Sequence, residues 1–322
     1  MPFYILPFNT YSKNSLPLIL LHPILLSTMN NTYTNLVFQG GGVKGIAYAG
    51  ALQVLESRGI LAQIERVAGT SAGAITACLV SLRYDSAYIT KTIKSLNFKS
   101  FEDKEWIWKK YWYYGFHPGD VFLNWLEKQI AAAPQGLSAN ATFADFEAKG
   151  CRDLHVFASD IYTHQVQEFS VEKTPNVVVA EAVRASMSIP LFFNAWQFRN
   201  NNPDDHLYVD GGMVLNYPIN TFDDGDEPNF ATLGFRLSDL EQRKKPDKFG
   251  YGRWLRYVKN TFETLLESQV IDYARDPEQR RRSVTLDDYG ILATDFNLSE
   301  AMKDKLIESG KTYTEKFLDH RN

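Results

Sequence analysis

Three short stretches of this chain hold residues that together could make and break an ester bond. Ser71 stands in Gly69-Thr70-Ser71-Ala72-Gly73, a G-x-S-x-G pattern. Asp210 opens Asp210-Gly211-Gly212, and Gly40-Gly41-Gly42-Val43-Lys44-Gly45 follows a short apolar run. A serine hydroxyl is a poor nucleophile until a base takes its proton. Glycine-rich backbone lets N–H groups approach a negative oxygen, and a helix starting there adds positive potential. The three stretches fit serine attack on a carbonyl, with the glycine loop as the oxyanion site.

The glycine loop has a second reading. Gly40, Gly42 and Gly45 also satisfy G-x-G-x-x-G, the pattern of a dinucleotide site. That site needs an acidic residue at the end of the second strand to hold the ribose. Glu65 has roughly the right spacing but falls early in that strand, whose end is Gly69-Thr70-Ser71. A nucleotide-dependent oxidoreductase would leave the serine turn idle. A phosphate loop fails as well, because no G-K-[ST] follows the glycines. The base is found by elimination. A Ser-Asp-His order needs a histidine after Asp210, and only His320 follows, almost at the chain end. His117, His155, His164 and His206 come earlier, none of them at a convincing strand end. Asp210 acting directly on Ser71 remains.

These residues need elements to hold them. Leu36-Val37-Phe38 reads as a buried strand, and Val43 to Leu55 as a helix with Gly59 at its C-terminal cap. Gln63 to Ala68 is a second strand, and Ala74 to Val80 an apolar helix. Strand, tight turn with a central serine, then helix is the setting of a nucleophile elbow. If the two strands are parallel neighbours, Gly41 and Gly42 come to lie beside Ser71. Asp120 to Ala133 and Thr142 to Lys149 read as helices, Leu154–Ser159 and Gln165–Ser170 as a hairpin, and Val177–Ser186 as a helix. Leu207-Tyr208-Val209 is a strand that delivers Asp210 at its carboxyl end, where α/β sheets place functional groups. Beyond it, Asn229–Phe235 reads as a buried strand, Leu237–Gly252 as a surface loop and Trp254–Tyr273 as a long helix. Ser283–Leu286 and Ile291–Thr294 read as short strands, and Ser299–Leu318 as a closing helix capped by Ser299.

Composition narrows the class further. With 322 residues the chain can bury a large core. A net charge of −4 gives no bulk attraction for nucleic acid, so no nucleic-acid partner is expected. Two cysteines make neither a disulfide framework nor a zinc site. Leu16 to Leu26 is apolar, but Pro17, His22 and Pro23 interrupt it and it is too short to span a bilayer as a helix. Residues 1–34 therefore read as an extension outside the fold, with a weak membrane anchor as the sharper alternative. Trp106, Trp108, Tyr111, Trp112, Tyr113 and Tyr114 alternate with lysines between residues 101 and 116. They either pack on the sheet or face lipid. Arg280, Arg281 and Arg282 read as a solvated face.

The three motifs, in this order, resemble those of the patatin-like phospholipase family. Gly40 to Gly45 matches its oxyanion loop, Gly69 to Gly73 its elbow and Asp210-Gly211-Gly212 its aspartate motif. Ala185-Ser186-Met187-Ser188-Ile189-Pro190 is similar to the segment before its aspartate strand, and Lys44 stands where the family often has arginine. The likeness covers residues 35–220, with 221–322 expected to pack on the same domain. It implies a three-layer α/β/α fold with a mainly parallel central sheet. It also implies a lipid acyl hydrolase with a Ser71–Asp210 dyad and an acyl-enzyme, needing no cofactor or metal. The oxyanion hole would be the backbone of Gly40, Gly41, Gly42 and Val43. An ordinary carboxylate with a pKa of about 4 is a weak base, so that hole should supply much of the acceleration. The implied partner is a phospholipid or another acyl lipid, met at a membrane surface. The implied location is cytoplasmic or peripheral to a membrane, with secretion and oligomeric state left open. A soluble carboxylesterase and a silent lipid-binding protein of the same fold are the alternatives.

Overall fold

The computed structural model describes residues 32–96, 115–117, 119–241, 253–269 and 276–320. The aromatic run 101–114, residues 242–252 of the charged loop and the apolar run within residues 1–31 lie outside the described residues.

β1 (Asn35–Phe38) leads through a 3-10 turn at Gly42–Ile46 into α1 (Ala47–Ser57). β2 (Arg66–Thr70) leads through Ser71 into α2 (Ala72–Ser81), and α3 (Ser86–Ser95) follows. β3 (Gly115–His117), α4 (Asp120–Ala131) and α5 (Phe143–Ala148) precede the hairpin of β4 (Asp153–Asp160) and β5 (Gln165–Phe169). Next come α6 (Val179–Ser186), β6 (Leu191–Phe193), β7 (Tyr208–Asp210) and β8 (Thr232–Ser238). α7 (Arg253–Ser268), α8 (Pro277–Arg281), β9 (Ser283–Asp287) and α9 (Glu300–Asp319) complete the order.

β1 is apolar on both faces, so it needs cover above and below and a neighbour on each edge. It pairs in parallel with β2 on one edge and β8 on the other. The main sheet runs β5-β4-β2-β1-β8-β9, with β7 also on β4. The β2–β4 and β8–β9 pairs are parallel too, and only β5 and β7 run against β4. Side chains alternate across the strands. Leu36, Phe38, Val67 and Val156 face α1, α2 and α9 in the larger core. Val37, Ala68 and Phe157 face the other way, against Ile219 and Phe222 from the chain after Asp210. This is the mixed α/β class with a mainly parallel sheet that the motifs imply.

Five details depart from the expectations. Arg282 is no part of a solvated face: it is 1% exposed, and its guanidinium donates to Asp223 Oδ2 at 2.6 Å and Asn220 Oδ1 at 2.8 Å. Tyr33 is buried, and the Thr34 N–H donates to Ala231 O at 3.0 Å, so the fold starts before Asn35. Ile291–Thr294 forms no strand: Ala293 is buried against the glycine loop, and its carbonyl accepts the Val43 N–H at 3.1 Å. α3 is a helix that none of the motifs marks, and Asp85 caps it by accepting the Tyr88 N–H at 2.6 Å. β3 and β6 form a separate two-stranded pair of three residues each, too short for any periodicity to show.

Candidate active site

The dyad is assembled along one side of β4. β2 occupies that side until Thr70, which pairs with Phe157. β7 arrives from the opposite direction and stops at Asp210, paired with Ala158 on the next rung. The two strands thus meet almost end to end, and Ser71 leaves the one where Asp210 ends the other. The Ser71 hydroxyl donates to Asp210 Oδ2 at 2.6 Å. Asp210 does stand at a strand's carboxyl end, but that strand is antiparallel. Asp210 therefore reaches Ser71 by a geometry other than the one the rule for parallel sheets describes.

Ser71 sits at φ 53°, ψ −124°. A side chain in that left-handed region is strained by about 1–3 kcal/mol and needs outside support. Its N–H donates to Ser186 Oγ at 2.8 Å, and that hydroxyl donates in turn to Phe157 O at 2.6 Å. Asp210 is clamped through its backbone: its N–H donates to Ser188 O and its carbonyl accepts from Ser159 Oγ, both at 2.9 Å. The short segment 186–188 therefore holds both members of the pair. Gly69 and Thr70 are the last two residues of β2, Ala72 and Gly73 begin α2, and Gly45 lies in the 3-10 turn against Ala72. Gly211 and Gly212 make the turn after Asp210, and the Gly212 N–H donates to Asp210 Oδ1 at 2.8 Å.

Burial corrects the expectation of a weak base. Asp210 is 1% exposed, and burial pushes its carboxyl up to about 7, while the Ser71 hydroxyl and the Gly212 N–H pull it down. A base poised near neutral pH combines availability with driving force for proton transfer. The described histidines stay elsewhere. His155 is held by Glu168 at 2.7 Å and Asp153 at 3.1 Å and is pushed up to about 9. His206 is bound to Asp160 at 2.7 Å.

The glycine loop is narrower as an anion site than its four expected donors. The Gly40 N–H is donated to Asn216 O at 2.9 Å and the Val43 N–H to Ala293 O at 3.1 Å. Both are therefore spent, and neither is available to an oxyanion. Among the described residues, no acceptor is bonded by the N–H of Gly41 or Gly42. Gly42 has φ +54°, and a Cβ there would collide with the Ala293 carbonyl, so only glycine fits.

Lys44 turns inward rather than toward the dyad. Its ammonium is buried between Glu263 at 3.0 Å and Asp288 at 3.2 Å, and the other Glu263 oxygen accepts the Ala293 N–H at 3.1 Å. Burial alone would lower the lysine pKa, but the two carboxylates outweigh it and raise it above 10.5. Being raised on folding, it contributes stability that is complete below the unfolded value and lost only above the folded one. Lys44→Met leaves two buried carboxylates facing each other. We expect a loss of about 3–5 kcal/mol at pH 7 in denaturant unfolding. A loss under 1 kcal/mol would mean the pair is compensated elsewhere.

Asn216, Gln269, Glu263 and Asp288 were not among the residues the motifs point to. Gln269 bridges the turn after Asp210: its Oε1 accepts the Asn216 N–H at 2.7 Å and its Nε2 donates to Gly212 O at 2.7 Å. Ser186 and Ser188, by contrast, lie in the segment 185–190 that the sequence motifs include. A cavity of about 400 Å³ adjoins the loop, lined by Gly40, Lys44, Asn216, Leu237, Leu266 and Asp288 among others. Among the described residues, no cluster of three His, Cys, Asp or Glu could hold a metal ion.

Known proteins share this arrangement to different degrees. The uncharacterized protein YqhO of Bacillus subtilis is 33% identical over 305 residues, covering 89% of this chain and 98% of its own. The probable lipid hydrolase 463L of Invertebrate iridescent virus 6 is 27% identical over 249 residues, 77% of each chain. Among solved structures, VipD from Legionella pneumophila superposes with a TM-score of 0.64 at 16% identity, covering 90% of this chain and 67% of that one. ExoU, in its complex with SpcU from Pseudomonas aeruginosa, gives 0.52 at 19%, covering 90% of this chain and 52% of that one. At such identities the likeness is one of fold, and this chain spans about half the ExoU chain. The family described as patatin-like phospholipase matches residues 36–223, and with all three motifs in one site, the chain belongs to that family.

Proposed function

We propose that this protein is a lipid acyl hydrolase that cleaves carboxylic esters of phospholipids or related acyl lipids. The observation that carries the reading is the 2.6 Å bond from Ser71 to an Asp210 carboxyl that burial holds at about 7. Asp210 takes the hydroxyl proton as Ser71 Oγ bonds to the ester carbon, and the carbonyl electron pair moves onto its oxygen. The N–H groups of Gly41 and Gly42 receive that oxyanion. The carbonyl reforms, the alcohol leaves with the proton from Asp210, and the acyl group stays on Ser71. Asp210 takes a proton from water as the water oxygen bonds to the acyl carbon, and Ser71 Oγ then leaves with that proton, which frees the fatty acid and restores the pair. The name of the viral relative, a probable lipid hydrolase, supports the substrate class. No helix among the described residues is long and apolar enough to cross a membrane.

The test is fatty-acid release from mixed phospholipid vesicles by wild type and by Ser71→Ala. We expect release by the wild type and none above background by the variant. Equal release from both would remove Ser71 from the reaction. No release from either, with no fluorophosphonate labelling of Ser71, would overturn the hydrolase reading.

A further inference from the structure

Asn216 carries an unexplained side chain. The residue is 2% exposed, and its backbone is fully used: the carbonyl accepts from Gly40 and the N–H donates to Gln269. The side-chain oxygen is buried with no hydrogen-bond partner. No bond among the described residues uses the side-chain nitrogen either. A buried amide left in this state is unfavourable, and an apolar side chain of the same shape would avoid the cost.

Its surroundings show what such an amide could serve. A Cβ on Gly40 would collide with Asn216 Oδ1 and stand 3.3 Å from Ser71 Cβ. A Cβ on Gly212 would be 2.9 Å from the same oxygen and 3.0 Å from Asp210 Oδ1. The carboxamide is therefore separated from each member of the dyad by the thickness of one glycine. Its oxygen packs on those glycines, and Asn216 also lines the 400 Å³ cavity beside the loop. The loop has lost the Gly40 and Val43 N–H groups to internal carbonyls, so a donor is wanted beside it.

Building on the hydrolase reading above, we propose that Asn216 is a substrate-contacting residue whose Nδ2–H donates to the ester oxygen that becomes the oxyanion. It stands as a third donor with Gly41 and Gly42. The amide gains most as negative charge develops, so it acts on kcat rather than on KM. Gly40 must be glycine because the carboxamide reaches past it.

The test uses the full-length protein with Asn216→Ala and Asn216→Leu, which keep every backbone bond of residue 216. Hydrolysis is followed on a short-chain ester and on phospholipid vesicles. Affinity is followed with an alkyl trifluoromethyl ketone, whose hemiketal with Ser71 carries an oxyanion. We expect kcat and ketone affinity to fall together by about 10²-fold, the size of one lost oxyanion donor. KM, the melting temperature and the pH midpoint of activity should stay unchanged. If the alanine protein does not fold, the near-isosteric leucine protein is read in its place. Wild-type kcat in either folded variant overturns the proposal. So does a fall in kcat that comes with a shifted pH midpoint and intact ketone affinity, since Asn216 would then only support Asp210. A wild type that neither hydrolyses these esters nor takes a fluorophosphonate label on Ser71 would overturn the hydrolase reading and this inference with it. An active wild type matched by its variants overturns this inference alone.

Discussion

Asp210→Asn is expected to lower kcat by about 10⁴-fold, because an amide of the same shape cannot take the Ser71 proton. Activity within tenfold of wild type would sink the dyad. The environment of Asp210 adds two pH signatures. Wild-type kcat/KM should rise with pH through about 7, since the base works only when ionised and burial sets it at about 7. The asparagine protein should lose that step. Stability should move the other way. The folded carboxyl value is raised above the ordinary 3.8, so the group contributes most at low pH and its contribution is lost as pH climbs through about 7. Asparagine has no charge to bury. At pH 8 the variant should therefore exceed wild type by up to about 4 kcal/mol, and the gain should disappear near pH 4. Thermal melts across that range check it, and a pH-independent difference would mean the Asp210 carboxyl is not held near neutrality.

Ser71→Gly should abolish turnover, by about 10⁶-fold in kcat, and remove fluorophosphonate labelling, yet melt higher than Ser71→Ala. Both variants lose the hydroxyl that bonds Asp210. Only glycine also relieves φ 53°, ψ −124°. The difference should be about 1 kcal/mol in favour of glycine, after allowing for its more flexible unfolded chain. The comparison belongs at pH 5, where Asp210 is protonated in both. If alanine and glycine melt alike, the elbow is not strained, and the support from Ser186 has some other purpose.

What the sequence made legible was local. A strand running into Gly40–Gly42 and another into Gly69–Ser71 announce a loop and an elbow within a few residues, because tight turns limit the side chains they accept. The parallel pairing of β1 with β2, which those motifs presuppose, is the one the fold has. What stayed hidden depends on distant partners. The base strength of Asp210 comes from burial, which no neighbour in sequence reports. The loss of the Gly40 and Val43 donors comes from Asn216 and Ala293, far along the chain. Ile291–Thr294 read as a strand because it is apolar. In fact Ala293 is buried so that its carbonyl and N–H can reach Val43 and Glu263. Lys44 lies inside the glycine-loop motif, but its partners, Glu263 and Asp288, carry no motif.

That dependence on late residues has a consequence for how the protein is made. β1 lies between a strand of nearly adjacent sequence and β8, and the Asn35–Thr232 side-chain bond spans 197 positions. A ribosome that has just released Asp210 has supplied both members of the dyad. It has not yet supplied β8 beside β1, nor the carboxylates and carbonyl that fix the glycine loop. At about 5–20 residues per second, Ala293 emerges several seconds later. During that interval the nascent chain holds a serine and a base without an ordered oxyanion site. Lipid-splitting power is thus among the last properties acquired in synthesis, and a chain broken off before Ala293 should be released inert.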